Sequence, residues 1–435
     1  MKDTIQNNLR KNPWTAEDEG DHYPTMKEWW CIETLFKTLD DKRKWNLKFS
    51  MAYEMETPSC FFDYVLFDIT SKKCVLHKAI NDDIKKFTHI KNKVDLKYKK
   101  STIKGLYPKY KIHLEDDTQE FTADMTYNAN IPPHWSAQDA TNGYLPIGFD
   151  YYRYGWLLNC NLVGSIKIKD ETHKIDGKGY IEHAWGNWSY SNPFQKLSSL
   201  RKTISTYGNL IYWWFSEKKA KIPNRISFTT ENNPFGYDWF WGIFDNNWSV
   251  FYGNSLFWIS EGTSFGVLTL AKEDGTHLDF NNLYFKYNKT KYLEKYDIYY
   301  PTDITIIGEM KNRKIKLRAC SLFEKYEYID EFPADNFYKA FIMPEMPGEI
   351  EGHLIENNKK IKLKGDCKIV HQRQPSKLGH NSLIINFLKP PKGVGISFDL
   401  NLFYLKKKMF TKLQLAPKPS FIIKLNRLEK SHNKE

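Results

Sequence analysis

The repeated alternation of short apolar runs with turn-forming residues is the feature that most constrains this chain. Runs such as 46–53 and 61–68 are rich in aromatic and branched residues, which suit a pleated, half-buried surface and predict β-strands. Asn-Gly and Asp-Gly pairs at 142–143, 176–177 and 274–275 are typical of the turns that join hairpin strands. We therefore predict an all-β chain built from antiparallel hairpins.

The length of 435 residues exceeds what one ordinary core fills and favours two domains. Aromatic residues make up 16% of the chain, which is enough for large strand-built cores. We predict a loose polar leader at 1–21, a first domain at 22–255, a second domain at 256–400 and a basic tail at 401–435. An insertion near 190–235 interrupts the first domain.

Helices are expected to be few. The segment 193–203, which starts with a proline acceptable in a first turn, is the best candidate for a helix within the insertion. A short helical turn is expected at 335–341, and the apolar segment 211–214 is interpreted as a strand.

Charge and motifs argue against several function classes. The net charge of +12 is spread along the chain, and without a zinc-finger, helix-turn-helix or RNA-binding pattern we predict no nucleic acid partner. The chain lacks the glycine-rich phosphate loops, so no cofactor is expected. Cys367, His371 and His380 match no zinc spacing, so no metal is expected either. The sequence 262–266 fits a serine-hydrolase elbow, but a strand follows where a helix is required.

The two ends of the chain bear on its location. The first residues carry polar side chains where a signal peptide needs an apolar stretch, and no apolar run reaches the roughly 18 residues of a membrane span, so a cytoplasmic location is expected. The tail mixes lysines with aromatic residues. It either packs on its own barrel or makes peripheral contact with an anionic membrane, although Pro417 and Pro419 interrupt any long helix.

Four segments in order resemble one family. They are Glu28-Trp29-Trp30, the segment 177–188 (GKGYIEHAWGNW), the segment 237–248 with its YDWF start, and a looser series from 300 to 367. The chain thus resembles the lipocalin-like proteins related to AttH and to the carotenoid 1,2-hydratases (hydroxyneurosporene synthases). The second segment is the specific one, with Glu182 where the family signature has aspartate. The matches span about residues 22 to 375.

The resemblance implies two lipocalin-like barrels, packed side by side, with an apolar pocket near their junction. In the carotenoid hydratases it also implies that the motif histidine and tryptophan act with a downstream Tyr-x-Asp whose aspartate donates a proton. Here the corresponding segment contains Tyr212 and Trp214 but no acid. Either Asp238 takes that role, or the hydratase acid is missing.

Period-two geometry divides the motif between two strand faces. His183 and Trp185 share one face, and Glu182 and Ala184 share the other. A histidine facing a pocket exchanges protons near neutral pH, and a tryptophan face stabilises a developing carbocation. This is suitable chemistry for hydrating or cyclising an alkene. The alternative interpretation is structural: Glu182 and His183 hydrogen-bond across the domain seam, and Glu28-Trp29-Trp30 packs a barrel mouth.

Two functional hypotheses remain. The first is an enzyme that hydrates, cyclises or isomerises an apolar molecule such as an isoprenoid, and the alternative is a non-catalytic carrier or sensor of lipophilic ligands. The candidate catalytic residues are His183, Asp238, Tyr212 and Glu182, with Glu182 as the orienting partner of His183. The candidate ligand-binding residues are Trp185, Trp29, Trp30, Trp239 and Trp214.

Overall fold

The computed structural model describes most of the chain between residues 14 and 426. Its gaps are 91–92, 118–119, 148–149, 189–199, 214–224, 230–235, 256–262, 265, 281, 297, 324–326, 335–337, 376, 378–381, 389–394, 405–406 and 417–421. For 225–229 and from 382 onward only the backbone is described. The predicted all-β class is confirmed in the described part.

The first barrel is a 13-stranded antiparallel sheet. Its strands are β1 (Lys27–Thr38), β2 (Lys44–Glu54), β3 (Ser59–Asp68), β4 (Lys73–Asp83), β5 (Phe87–Thr88), β6 (Val94–Tyr98), β7 (Ser101–Leu106), β8 (Lys109–Glu115), β9 (Phe121–Ala129), β10 (His134–Trp135), β11 (Tyr144–Ile147), β12 (Asp150–Ile168) and β13 (Glu171–Gly186). β2 and β3 contain the predicted strands 46–53 and 61–68, so both predictions are confirmed.

The strand order of the first barrel is β4-β3-β2-β1-β13-β12-β9-β8-β7-β6-β5. Inward-facing residues alternate with outward ones, as in β9, where Phe121, Ala123, Met125 and Tyr127 are buried and enter one apolar core. The central pair β1 and β13 runs antiparallel and in register along its whole length. This pairing fixes where the motif residues lie.

The second barrel is an 11-stranded antiparallel sheet. After β14 (Arg225–Thr229), which lies outside it, its strands are β15 (Tyr237–Phe244), β16 (Ser249–Ser255), β17 (Thr263–Ser264), β18 (Val267–Ala271), β19 (His277–Phe280), β20 (Asn282–Leu293), β21 (Ile298–Met310), β22 (Arg313–Ser321), β23 (Glu327–Glu331), β24 (Ala340–Glu356) and β25 (Lys359–Gln372). Because β15 and β16 pair within this sheet, the domain boundary predicted at residue 255 is wrong; the second domain already includes residue 237.

A third, five-stranded sheet joins the insertion to the tail. It consists of β14, β26 (Ser382–Leu388), β27 (Gly395–Tyr404), β28 (Lys407–Ala416) and β29 (Ile422–Asn426). The tail strands therefore pair within the chain: β27 pairs with β26 and β28, and β28 pairs with β29. β14 joins this sheet through β26. Membrane contact through the tail stays a prediction.

Helices are short in the described residues. They are α1 (Ala16–Glu19), α2 (Gln138–Thr141) and α3 (Leu200–Tyr212). The predicted helix 193–203 is helical in its described part, 200–203, which begins α3, and 193–199 lies outside the described residues. The strand predicted at 211–214 is wrong for residues 211–212, which belong to α3. The buried residues Thr203, Thr206 and Leu210 recur at the spacing of three to four that is typical of one helix face. No helix in the described ranges is long and apolar enough to cross a membrane.

Two further local predictions fail for physical reasons. Residues 340–341 begin strand β24 instead of a helical turn, and 335–337 lie outside the described part. The pair Asp176-Gly177 lies inside β13, where the carbonyl of Leu35 and the backbone of Phe36 approach Gly177 too closely for a side chain. The turns at 142–143 and 274–275 are confirmed, with positive φ at Asn142, Gly143 and Gly275.

The end of the predicted leader is ordered and packs on the first barrel. Asp18 forms an ion pair with Arg153, and Glu19 accepts hydrogen bonds from the Tyr110 hydroxyl and the Tyr107 amide. Both carboxyls are buried. The polar residues of this segment, which predicted a loose chain, therefore form buried polar pairs with the barrel. The prediction of a loose leader is therefore wrong for residues 14–21; residues 1–13 lie outside the described part.

Candidate functional site

The two central strands of the first barrel, β1 and β13, position the motif residues. In their register Trp30 lies opposite His183, and Trp29 lies opposite Ala184. From Tyr180 to Ala184 every residue of β13 is buried, on both faces. One face enters the first barrel, and the other packs against the second barrel. The motif therefore contributes side chains to two separate sites, one on each face of β13.

On the junction face, the Glu182 carboxyl lies within a shell of aromatic donors. The Trp29 indole donates to Oε1 at 2.9 Å, and the hydroxyls of Tyr154 and Tyr180 each donate to Oε2 at 2.6 Å. From the second barrel, the Trp239 indole donates to the Tyr154 hydroxyl at 3.3 Å. Residues of both barrels thus contribute to one hydrogen-bonded group.

Burial governs the protonation of Glu182, because it outweighs both the neutral hydrogen-bond donors and the nearby Lys48 charge. Burial raises the pKa of the Glu182 carboxyl, and the hydrogen bonds from Tyr154, Tyr180 and Trp29 offset only part of that rise. Burial beside this carboxyl also raises the pKa of Tyr154 and Tyr180. The arrangement holds a proton more firmly than an exposed glutamate does.

Aromatic rings surround this carboxyl. Trp29 packs edge-on against Trp188 with ring centroids 5.1 Å apart, and Tyr152 lies 5.4 Å from Trp188. Trp29 and Tyr152 are partly exposed, whereas Glu182 is 8% exposed. A molecule held here would meet flat apolar faces beside a carboxylic acid.

A strip of buried charges crosses the same junction. Lys48 of the first barrel pairs with Asp63 and lies 3.3 Å from Glu345 of the second, and Lys368 lies 3.2 Å from that same Glu345. Burial raises the pKa of Glu33, which lies beside Lys368, to about 8. A protonated Glu33 leaves two lysines facing two carboxylates, so the strip is charge-balanced and fastens the barrels together.

On the opposite face, His183 lies at the end of the first barrel. Its Nδ1 is 2.8 Å from the Asp18 carbonyl oxygen and its Nε2 is 2.8 Å from Oε1 of Glu28. Trp30 stacks on the imidazole with ring centroids 4.6 Å apart. The predicted role of Glu182 as the orienting partner of His183 is wrong, because the two side chains leave opposite faces of β13; Glu28 takes that place.

The Glu28 carboxylate gathers several donors. Its Oε1 is 2.8 Å from Nδ1 of His22, and its Oε2 accepts a hydrogen bond from the Tyr53 hydroxyl at 2.6 Å. Burial opposes ionisation here, but the contacts with His183 and His22 lower the pKa of Glu28 to about 2. The His22 ring stacks on Trp185 at 3.7 Å. Trp30 and Trp185 therefore pack the histidines of this group.

Asp238 lies apart from both groups, within the second barrel. Its carboxyl contacts Arg373 at 2.8 Å, His371 at 2.7 Å and the Tyr287 hydroxyl. Burial alone would raise the pKa of Asp238, but the Arg373 charge and the His371 contact outweigh it and hold the pKa below its ordinary value. A carboxylate neutralised in this way is a poor proton donor.

The remaining candidate residues lie elsewhere. Tyr212 is 53% exposed at the end of α3, which is on the surface, so the structure does not bring it to the other candidates. Trp214 lies outside the described residues. A polar surface depression lined by 56–59 and 81–83 lies on the first barrel. The apolar pocket expected at the junction stays a prediction.

Sequence reasoning missed several residues of these groups. Tyr154 and Tyr180 carry no motif signal beyond strand alternation, although Tyr180 stands two positions before Glu182. In the sequence, Glu28 stands out only as part of the packing motif Glu28-Trp29-Trp30. His22 precedes the first strand, in a segment without apolar periodicity, and nothing in the sequence indicated that it reaches Glu28.

Two successive antiparallel barrels with an aromatic junction define a two-domain lipocalin-like protein. No protein-family model and no curated protein sequence matches the chain. Solved structures do: an AttH protein from Nitrosomonas europaea has a TM-score of 0.53 at 13% identity, covering 81% of this chain and 95% of that chain. Kievitone hydratase from Nectria haematococca has a TM-score of 0.52 at 14% identity, covering 82% and 91%.

A third solved structure, CghA, has a TM-score of 0.50 at 8% identity and covers 81% of this chain and 89% of that chain. At these identities the similarity concerns the fold. The resemblance to AttH-type, lipocalin-like proteins that the sequence indicated is confirmed at that level.

Proposed function

We propose that this protein adds water to an alkene of an apolar small molecule bound at the junction of the barrels, with Glu182 as the proton donor. One observation carries the proposal. Glu182 is a buried carboxyl that three neutral donors hold among aromatic rings, and burial raises its pKa. An acid of this kind is protonated over a wider pH range than an exposed glutamate and is suited to general acid catalysis.

The proposed reaction conserves atoms and charge. The Glu182 carboxyl transfers its proton to one alkene carbon, and the neighbouring carbon becomes a cation that the rings of Trp29 and Trp239 stabilise. Water then adds to the cation and loses a proton. That proton returns to the Glu182 carboxylate through the Tyr154 or Tyr180 hydroxyl, which already bonds it.

The shared fold supports this choice among reactions. Kievitone hydratase has a hydratase name and the same two-barrel architecture, so hydration is a reaction that this fold accommodates. Isomerisation and cyclisation begin with the same protonation and end without the added water. A carrier of lipophilic ligands uses the same aromatic surroundings without turnover and is the alternative function.

The test compares wild type with Glu182→Gln. Each protein is incubated with kievitone and with a panel of acyclic isoprenoid alkenes in ¹⁸O-labelled water, and the products are identified by mass spectrometry. We expect labelled hydrate with wild type and a loss of about 10²–10⁴-fold in rate with the variant, which is the usual contribution of a general acid. Glu171→Gln, an exposed glutamate at the start of the same strand, is the matched control and should retain full rate.

The outcomes separate the hypotheses. Equal rates for wild type and Glu182→Gln contradict the role of Glu182. Binding of a probe without any chemical change in wild type favours the carrier. An unlabelled product of unchanged mass indicates isomerisation or cyclisation at the same acid.

A further inference from the structure

The end of the first barrel brings together three metal-ligating side chains outside the junction. They are His22, Glu28 and His183, and their ligand atoms all lie within 4.8 Å of one another. Glu28 Oε1 is the centre of the group, at 2.8 Å from His22 Nδ1 and 2.8 Å from His183 Nε2. None of these three residues acts in the proposed hydration.

The hydrogen bonding of His183 leaves its Nε2 lone pair directed at a carboxylate. The Asp18 carbonyl oxygen only accepts hydrogen bonds, so Nδ1 of His183 must carry the proton of the neutral ring. The neutral ring then presents a lone pair from Nε2 to Glu28 Oε1. Two electron-rich atoms at 2.8 Å require a positive charge between them, which is either an added proton or a metal ion.

The surroundings provide no other cation for this carboxylate among its described contacts. Glu28 receives the Tyr53 hydroxyl, the His22 amide and the two imidazoles, all of which are neutral when the rings are neutral. In the second barrel the buried carboxylate of Asp238 does have a permanent cation beside it, because Asp238 pairs with Arg373 as well as with a histidine. The first barrel has the histidines without the arginine.

The ligands are also held in place, as in built metal sites. The Asp18 carbonyl fixes the tautomer of His183, which is the role of the outer partner in many histidine–metal sites. Trp30 stacks on His183 with an interplanar angle of 14°, and Trp185 stacks on His22 at 10°. The Tyr53 hydroxyl anchors the second Glu28 oxygen. The three ligand atoms therefore point to one place.

We propose that His22, Glu28 and His183 bind a divalent zinc ion, with His22 Nδ1, Glu28 Oε1 and His183 Nε2 as ligands and a water molecule in the fourth position. Two imidazoles and one carboxylate are a common zinc ligand set. Zinc-to-ligand distances of about 2.0–2.2 Å place tetrahedral ligands roughly 3.3 Å apart, so the two separations of 2.8 Å from Glu28 Oε1 to the histidine nitrogens need to open by about half an ångström.

The ion fastens the N-terminal segment to the barrel. Glu28 and His183 belong to β1 and β13, whereas His22 precedes β1 and belongs to the segment that packs across the barrel end. The His22 side chain is 24% exposed, which gives the ion a path from solvent. Zinc binding is therefore expected to raise the melting temperature as well as to occupy the site.

The experiment uses the full-length protein, stripped with a chelator and titrated with Zn²⁺ in competition with a chromophoric chelator. We expect one zinc per chain for wild type. In His22→Ala the affinity should fall by more than the roughly 10–100-fold that loss of an outer-shell partner costs. His173→Ala is the control, because His173 lies with Asp40 and Asp41 in an exposed group that could also attract a cation. It should bind zinc as wild type does.

A second measurement on wild type alone keeps the result independent of variant folding. The imidazole nitrogens are followed by ¹⁵N NMR with and without Zn²⁺, and His22 and His183 should shift while the other histidines do not. Two results overturn the proposal. The first is equal zinc affinity in wild type and His22→Ala. The second is a His183 ring that is protonated at both nitrogens and does not respond to Zn²⁺, because such a ring forms an ion pair with Glu28 without a metal.

Discussion

Glu182 and Asp238 are two buried carboxyls, one at the junction and one inside the second barrel, and their surroundings differ in charge. Glu182 faces the junction and accepts hydrogen bonds from neutral indole and phenol groups. Asp238 faces the interior of the second barrel, where Arg373 and His371 contact it. Burial raises the pKa of Glu182, whereas the Arg373 charge outweighs burial and lowers the pKa of Asp238.

The comparison teaches that burial alone does not decide what a carboxyl does. A buried carboxyl with neutral partners keeps its proton and can donate it, while one paired with a guanidinium is ionised and holds structure. By this criterion Asp238, the sequence-based candidate for the missing hydratase acid, is the poorer proton donor of the two. Glu182 is the better proton donor.

The largest expected effect is on stability at Asp238. Asp238→Asn leaves the buried Arg373 charge without its partner, so the free energy of unfolding should fall by about 3–5 kcal/mol in a denaturant titration. Removing Arg373 as well, in Asp238→Asn with Arg373→Met, should recover part of this loss because no charge remains buried. A loss below about 1 kcal/mol for the single variant would break the comparison.

The pH dependence of stability should have opposite signs at the two carboxyls. The pKa of Asp238 is lowered in the folded state, so its contribution is present above its unfolded value of 3.8 and is lost as the pH falls through the folded value. The pKa of Glu182 is raised, so its contribution is present below its unfolded value of 4.5 and is lost as the pH rises through the folded value.

Unfolding titrations from acid to neutral pH, for wild type and for each amide variant, measure both slopes. Each unit of pKa shift corresponds to about 1.4 kcal/mol. Slopes of the same sign at the two positions would mean that the difference in partners does not control protonation.

A smaller effect is expected for the stability of Glu182→Gln. The amide has nearly the same shape and can keep neutral hydrogen bonds with Trp29 and the tyrosines, so the free energy of unfolding should change by no more than about 1 kcal/mol. Chemical denaturation measures it. A loss as large as that of Asp238→Asn would show that Glu182 is ionised and structural, which is the opposite of the proposed role.

The smallest effect is expected for Tyr154→Phe. This change removes one donor to Glu182 and should cost about 1 kcal/mol of stability. It should also raise the pKa of Glu182 further, because a hydrogen bond that favours the ionised form is lost. The alkaline limb of a pH–rate profile, where the general acid loses its proton, reports this shift, and a shift of that limb towards lower pH would contradict the assigned direction of the bond.

Sequence patterns predicted the strands and the division of the motif between two faces. Period two correctly placed His183 with Trp185, whose rings are 4.6 Å apart, and separated them from Glu182. The pattern could not tell which face meets the second barrel, because both faces of β13 are buried and no polar side marks the solvent.

The rest depended on partners that are distant in sequence. Arg373 lies more than a hundred residues from Asp238, and Tyr154 and Tyr180 reach Glu182 only once the barrel forms. The N-terminal segment appeared loose because its order comes from polar pairs such as Asp18 with Arg153, which leave no apolar periodicity.

The protonation state of Glu182 is the central claim, and infrared difference spectroscopy between wild type and Glu182→Gln measures it directly. The carboxylic acid band of Glu182 is followed as a function of pH in the wild-type protein without substrate. We predict a titration midpoint above the ordinary glutamate value of 4.5, because burial outweighs the neutral donors. A midpoint at or below 4.5 would contradict the account, since Glu182 would then be an ordinary carboxylate at the junction.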